Sequence, residues 1–189
     1  MSSSPPSRLI RRRICPLDFP RTGRLAAVDY GTARIGVAVC DPDRILASPL
    51  TVVAGQRYAH HPESFTNIAR EERLVAWVVG LPIHADGNES PSSIAARKFG
   101  TWLADQTRLP VRLFDERFTT VEANARLRTG GRISRQKKQK RIDAVAATVL
   151  LESFLEACRY RGTIAGVDVG EPVAQADDLN DRPEASGNT

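Results

Sequence analysis

Three carboxylates have neighbours that point them toward chemistry. Asp29 ends the apolar run Leu25-Ala26-Ala27-Val28 and is followed by Tyr30-Gly31-Thr32. A short apolar run closed by a turn predicts a strand buried on both faces. A carboxylate in such a strand is costly unless a metal ion, a lysine or arginine, or backbone N–H groups answer it. Glu116 closes the strand Val111-Arg112-Leu113-Phe114, which ends in Asp115-Glu116-Arg117. Successive strand residues point to opposite faces, so only one of Asp115 and Glu116 can join Asp29. Asp143 falls near the start of a predicted helix from Arg141 to about Tyr160. At 100° per residue, Arg141, Thr148, Glu152 and Arg159 form its polar stripe, and Asp143 lies opposite, grouped with Ala147, Leu150, Phe154 and Ala157.

Each acid also has a plainer reading. Asp143 could be held by the N–H groups of the first helical turn. Asp115-Glu116-Arg117 could be a solvated strand end in which Arg117 pairs an acid. If Asp29, Glu116 and Asp143 converge, they make an oxygen-only site that suits Mg²⁺ or Mn²⁺. Two such ions about 3.5–4 Å apart can activate a water and stabilise the leaving oxygen of a phosphodiester.

The stretch from Arg132 to Arg141 carries six cations and no acid. It is expected to be a basic loop leading into the Asp143 helix. A charge run is often only solvated surface. Beside a carboxylate site, however, it is what a nuclease needs to hold a phosphate backbone. Arg117, Arg132, Arg135, Lys137, Lys138 and Lys140 are the candidate nucleic-acid contacts. No aromatic residue interleaves with the run, which favours backbone contact over base stacking.

Other chemistries find little support. Cys15, Cys40 and Cys158 are odd in number and far apart, with no C-x-x-C pair for a disulfide framework or a zinc site. His60, His61 and His84 lack ligand spacing. Arg11-Arg12-Arg13 is followed by no apolar signal core, and no apolar run approaches a membrane span. A cytoplasmic protein without membrane association is expected. The net charge of +5 is uneven. Residues 1–24 hold six arginines and one aspartate, and residues 162–189 hold six acids and one arginine. The ends cancel, so the centre keeps the positive charge and fits a polyanionic partner.

The elements that must position the acids follow from pattern. Residues 1–23, rich in Ser, Pro and Arg, are expected to be a flexible basic arm. Asp29's strand and Arg34–Cys40 form a hairpin around Gly31, and a third strand runs near Ala47–Val53. A helix is expected over His60–Arg73, then a buried strand over Leu74–Val79. Asp86-Gly87 marks a turn, and Ser90-Pro91 opens a helix to about Thr107. The Val111 strand follows. Thr119-x-x-Glu122 is a capping box for a helix ending at Gly130-Gly131. The final helix and an acidic, disordered tail over 162–189 complete the chain. Hairpin strands followed by alternating helices and strands predict an α/β domain over 24–161, a mixed β-sheet flanked by helices.

Four motifs then occur in order. Val28-Asp29-Tyr30-Gly31-Thr32-Ala33-Arg34-Ile35-Gly36-Val37-Ala38 resembles the D-x-G-x-x-x-I-G-x-A opening of the YqgF family, bacterial proteins also called RuvX. Val79-Gly80-Leu81-Pro82 with Asp86-Gly87 and Glu89 resembles its V-G-L-P…D-G-x-E segment. Asp115-Glu116-Arg117-Phe118-Thr119-Thr120-Val121-Glu122-Ala123 and Lys140-Arg141-Ile142-Asp143-Ala144-Val145-Ala146-Ala147 resemble the remaining two. Together they cover roughly residues 24–160. The resemblance implies a ribonuclease H-like fold and a divalent-metal nuclease site at Asp29, Glu116 and Asp143. It also implies a cytoplasmic role in maturing the 5′ end of pre-16S rRNA, with the small ribosomal subunit as a partner. Phe118 stands where the family more usually has an aliphatic residue.

Three other functions compete. One is cleavage of branched DNA as a Holliday junction resolvase, which favours a symmetric homodimer over the monomer that suffices for a single RNA cut. The second is an RNA-binding assembly factor with an idle site. The third is an ATP-binding phosphotransferase, because Asp29-x-Gly-Thr resembles that group's phosphate loop and Asp168-Val169-Gly170 offers a second copy. Too little chain follows that copy for a second α/β domain.

Overall fold

The computed structural model describes residues 19–83, 90–115 and 135–169; the side chains of Arg57 and of residues 135–142 are outside that description. Strand β1 (Leu25–Tyr30) turns through residues 31–33 into the antiparallel β2 (Arg34–Cys40). Gly31 donates its N–H to Arg34 O at 3.0 Å. The glycine serves space rather than an unusual backbone angle, because a Cβ there would sit 2.6 Å from the same oxygen. Strand β3 (Ala47–Ala54) pairs antiparallel with β2 and forms one edge. Its Pro49 and its exposed Ser48, Thr51 and Ala54 suit an edge position.

The helix expected over His60–Arg73 is shorter than its pattern. A 3-10 turn covers Gly55–His60, and α1 begins only at Glu63 and ends at Glu71. The residue before a proline is pushed out of helical geometry, and His61, which precedes Pro62, has φ −131°. Strand β4 (Ala76–Leu81) lies parallel to β1 and is buried along its whole length. Helix α2 (Pro91–Thr107) starts and stops where Ser90-Pro91 and Thr107 predict. Ser90 Oγ accepts the Ser93 N–H at 3.1 Å, and Ser93 Oγ accepts the Ser90 N–H at 3.0 Å, a reciprocal cap. Strand β5 (Val111–Asp115) continues the parallel set beside β4.

Helix α3 runs from Arg135 to Arg161, so the expected basic loop is corrected: Arg135, Lys137, Lys138 and Lys140 lie on its first turns. Charge suggested a loop, but residues 135–140 are arginine, lysine and glutamine, all strong helix formers, with no Gly, Pro or β-branched residue to break them. Strand β6 (Val167–Asp168) pairs antiparallel with β5, so paired backbone continues past residue 161. Phe19, within the stretch read as an arm, is buried edge-on against Phe154. The turn at Asp86-Gly87 and the capping-box helix from Thr119 lie outside the described residues. Among the described residues, no helix is long and apolar enough to cross a membrane.

The sheet order is β3-β2-β1-β4-β5-β6, with β1, β4 and β5 parallel. This is the expected mixed sheet flanked by helices. Helices α1 and α2 cover one face, where Tyr58, Phe65, Phe99 and Trp102 pack edge-on around Val28, Trp77 and Val79. Helix α3 covers the other face, lying across β1, β2 and β3. There Leu150, Leu151, Phe154 and Leu155 meet Leu25, Ala27, Ala38, Val78 and Phe114.

At one point helix and sheet touch backbone to backbone. A Cβ on Gly36 would lie 2.0 Å from Asp143 O and 3.2 Å from Ala144 N. No side chain can yield there, so relief would have to come from moving α3 off the sheet. Gly36→Ala is expected to cost about 2–4 kcal/mol. Urea unfolding followed by circular dichroism measures it, and a loss below about 0.5 kcal/mol would show that α3 does not sit this close.

Candidate active site

Asp29 stands one residue before the end of β1, at the carboxyl end of the parallel strands. It pairs directly with Gly36 of β2. Directly opposed residues of an antiparallel pair share a face. Leu25 and Ala27, two and four positions back, pack under α3, so Asp29 faces the same helix. Gly36, opposite Asp29, is where the Asp143 backbone comes down. The two acids, far apart in sequence, thus meet across a residue with no side chain.

The electrostatics show the meeting. The Asp29 carboxyl is pushed up to about 6, first by burial and then by the negative charge of Asp143. Among the described residues it has no hydrogen-bond partner that would favour its ionised form. Asp143 is in the third turn of α3, beyond the reach of the first-turn N–H groups. Its partner is instead Arg34, whose Nε donates to Asp143 Oδ2 at 2.5 Å. Arg34 opens β2 two residues before Gly36 and therefore shares its face.

Arg34 is the residue that reading the sequence for sites passed over. The hairpin register carried the signal: a three-residue turn after Tyr30 sets Asp29 against Gly36, and residue 34 then falls on the Asp29 face. Glu116, Arg117 and Arg132 lie outside the described residues. Arg135, Lys137, Lys138 and Lys140 are placed by backbone alone, within the two turns of α3 that precede Asp143. Asp168, the second phosphate-loop candidate, pairs with Arg112 at 3.5 Å on the β6 edge, three strands from β1. It shares no site with Asp29.

The donor chemistry fits a hard divalent cation. Both placed ligand candidates offer carboxylate oxygen, and Asp29, which no cation answers among the described residues, gains most from an added positive charge. Among the described residues, no group of three or more His, Cys, Asp or Glu is placed to hold a metal. The described residues therefore offer Asp29 and Asp143 as a pair.

Comparison with known proteins bears on what such a pair is for. The profile of the RuvX family, described as Holliday junction resolvase, matches residues 23–157. The chain belongs to the RuvX family. A relative in Rhodopirellula baltica, named "Putative pre-16S rRNA nuclease", is 63% identical over 148 residues, which are 78% of this chain and 85% of that one. A protein of the same name in Paracoccus denitrificans is 40% identical over 76% of this chain and 90% of its own. Among solved structures, Thermus thermophilus RuvC in complex with a Holliday junction substrate superposes with TM-score 0.51 at 15% identity, covering 77% of this chain and 99% of RuvC. That likeness shows the fold, which is ribonuclease H-like. Phe19 and β6 lie outside the stretch that defines RuvX membership.

The raised Asp29 carboxyl has a consequence for stability. An acid that holds its proton more tightly when folded favours the fold at low pH. That advantage is complete below its ordinary value of 3.8 and is lost as pH rises through about 6. In metal-free protein, Asp29→Asn should be near neutral at about pH 4 and stabilising by about 2–3 kcal/mol at about pH 7. Urea unfolding in EDTA at the two pH values measures the difference, and equal effects at both would remove Asp29 from the strained position assigned to it.

Proposed function

We propose that this RuvX member is a divalent-metal-dependent phosphodiester hydrolase that trims the 5′ end of pre-16S rRNA in the cytoplasm, acting on small-subunit precursors. The observation that carries the reading is the half-buried Asp29 carboxyl, without a compensating partner among the described residues and facing Asp143 across Gly36. Such a pair is costly to a fold and useful to a metal. The names of the relatives supply the substrate.

In this reading Asp29 and Asp143 hold Mg²⁺ or Mn²⁺ through carboxylate oxygens. Glu116 is the third ligand; it directly follows β5, whose even-numbered residues Arg112 and Phe114 lie on the α3 side of the sheet. The ions would supply a water made nucleophilic near neutral pH and charge compensation for the leaving oxygen. The protein fixes the positions: β1 and the hairpin register hold Asp29, and Gly36 sets the depth of Asp143. Arg117, Arg132 and the cations on the first turns of α3 hold the phosphate backbone.

The test offers one purified preparation a labelled pre-16S rRNA 5′ fragment and a synthetic four-way DNA junction, with Mg²⁺, with Mn²⁺ and with EDTA. Cleavage of the RNA fragment, lost in EDTA, is expected. Asp29→Asn, Asp143→Asn and Glu116→Gln should each lower the rate at least about a hundredfold while the protein stays folded. Cutting of the junction in preference to RNA would transfer the same site to a resolvase. Tight RNA binding with no cleavage under any metal would make the protein an assembly factor with an idle site.

A further inference from the structure

We propose that Arg34 is a phosphate-binding residue of this site, gripping the substrate backbone with the terminal nitrogens of its guanidinium while its Nε holds Asp143. The inference rests on the nuclease reading and adds a residue to it.

The geometry carries it. Arg34 is tied at one point, the Nε bond to Asp143 Oδ2 at 2.5 Å. Among the described residues, no other acceptor engages it. Its side chain is 42% exposed, whereas that of Asp143 is 18% exposed. Arg34 is thus the more open member of the pair, and its Nη1 and Nη2 have no acceptor among the described residues. A guanidinium carries five N–H donors in a planar fork, so one bond through Nε leaves four for another partner. That remaining pair of nitrogens matches the spacing of two phosphate oxygens.

Position gives the partner its identity. Arg34, Gly36 and Asp29 share the face under α3, and Arg34 is more exposed than either acid. A phosphodiester reaching Asp29 and Asp143 must pass a pair of negative charges. A cation fixed at their outer edge offsets that repulsion where the backbone enters. Its bond to Asp143 also limits the rotamers open to the arginine, so less freedom is lost when a phosphate binds. An arginine placed only to neutralise Asp143 would turn its two-pronged fork onto that carboxylate, whereas Arg34 engages it through Nε alone.

The experiment separates the two roles without metal or turnover. Binding of a fluorescein-labelled single-stranded RNA is followed by anisotropy in EDTA over a series of salt concentrations, for the wild type, Arg34→Gln, Arg34→Lys, Asp143→Asn and the Arg34→Gln/Asp143→Asn double variant. Loss of one phosphate contact lowers the slope of log affinity against log salt by about 0.7 for a single strand. Arg34→Gln is expected to show that drop with roughly tenfold weaker binding, and the double variant is expected to keep it relative to Asp143→Asn. Arg34→Lys should restore the slope, because the charge is back, but only part of the affinity, because the fork is gone. If Arg34 only neutralises Asp143, the double variant will bind as Asp143→Asn does, with an unchanged slope, and the proposal is overturned while the nuclease reading stands. Wild-type protein that binds no RNA in EDTA and none with Ca²⁺ or Mg²⁺ added would overturn both.

Discussion

The site depends on one absent side chain. Gly36 lets the backbone of α3 come down onto β2 where a single methyl group would collide with Asp143 O. The lane under the helix is small along its length: Ala27 on β1, and Gly36, Ala38 and Cys40 on β2, facing Ala144 and Ala147. Farther along α3, Leu150, Leu151, Phe154 and Leu155 fill the space against Phe19, Leu25 and Phe114. Close contact at the Asp143 end and bulk beyond it set how α3 lies on the sheet. Because Gly36 is also the partner of Asp29 in the hairpin ladder, the residue that sets the helix depth also sets which acid the helix meets. Packing and chemistry share one position, so neither can be altered alone.

Bringing two carboxylates together has a cost, and the structure distributes it unequally. Asp143 has Arg34; Asp29 has no partner among the described residues, and burial together with the charge of Asp143 pushes it up to about 6. A salt bridge in so exposed a position stabilises by at most about 1 kcal/mol. Arg34 therefore matters less for the stability of the fold than for where it holds the Asp143 carboxylate. The strain at Asp29 is borne by a sheet whose central strands, β1 and β4, are packed from both sides. A site of this kind belongs on rigid elements, where a misplacement of an ångström is resisted by the whole core.

Much of this was legible in the sequence, for identifiable reasons. Asp29 stood out because an acid interrupts an apolar run, and Asp143 because it interrupts the apolar face of a helix. Both signals are local periodicity. The Ser90-Pro91 helix start was readable because capping is a matter of two or three adjacent residues. What escaped required contacts between distant segments. Arg34 is exposed and unremarkable by periodicity; only the register of the hairpin and the depth of α3 make it a neighbour of Asp143. The helical start at Arg135 was hidden by charge, which suggests solvent but does not forbid a helix when every residue favours one. Strand β6 is two residues long and has no pattern of its own. It exists because β5 presents an open edge and Arg112 offers Asp168 a partner.

The helical start also changes what the basic run can do. As a loop, residues 135–140 would place their charges wherever a substrate drew them. As part of α3, they climb about 1.5 Å per residue from Arg135 toward Asp143, so the helix projects beyond the acids by about 12 Å. That extension leaves from the carboxyl end of β1, β4 and β5, the end of an open parallel sheet at which ligands are generally received. Any grip on a phosphate backbone from those turns is thereby locked in register with Asp143, and through Gly36 with Asp29. The distance between where the strand is held and where it would be cut becomes a property of one helix rather than of a flexible segment. A rigid spacing of this kind suits an enzyme that must choose one phosphodiester among many chemically identical ones.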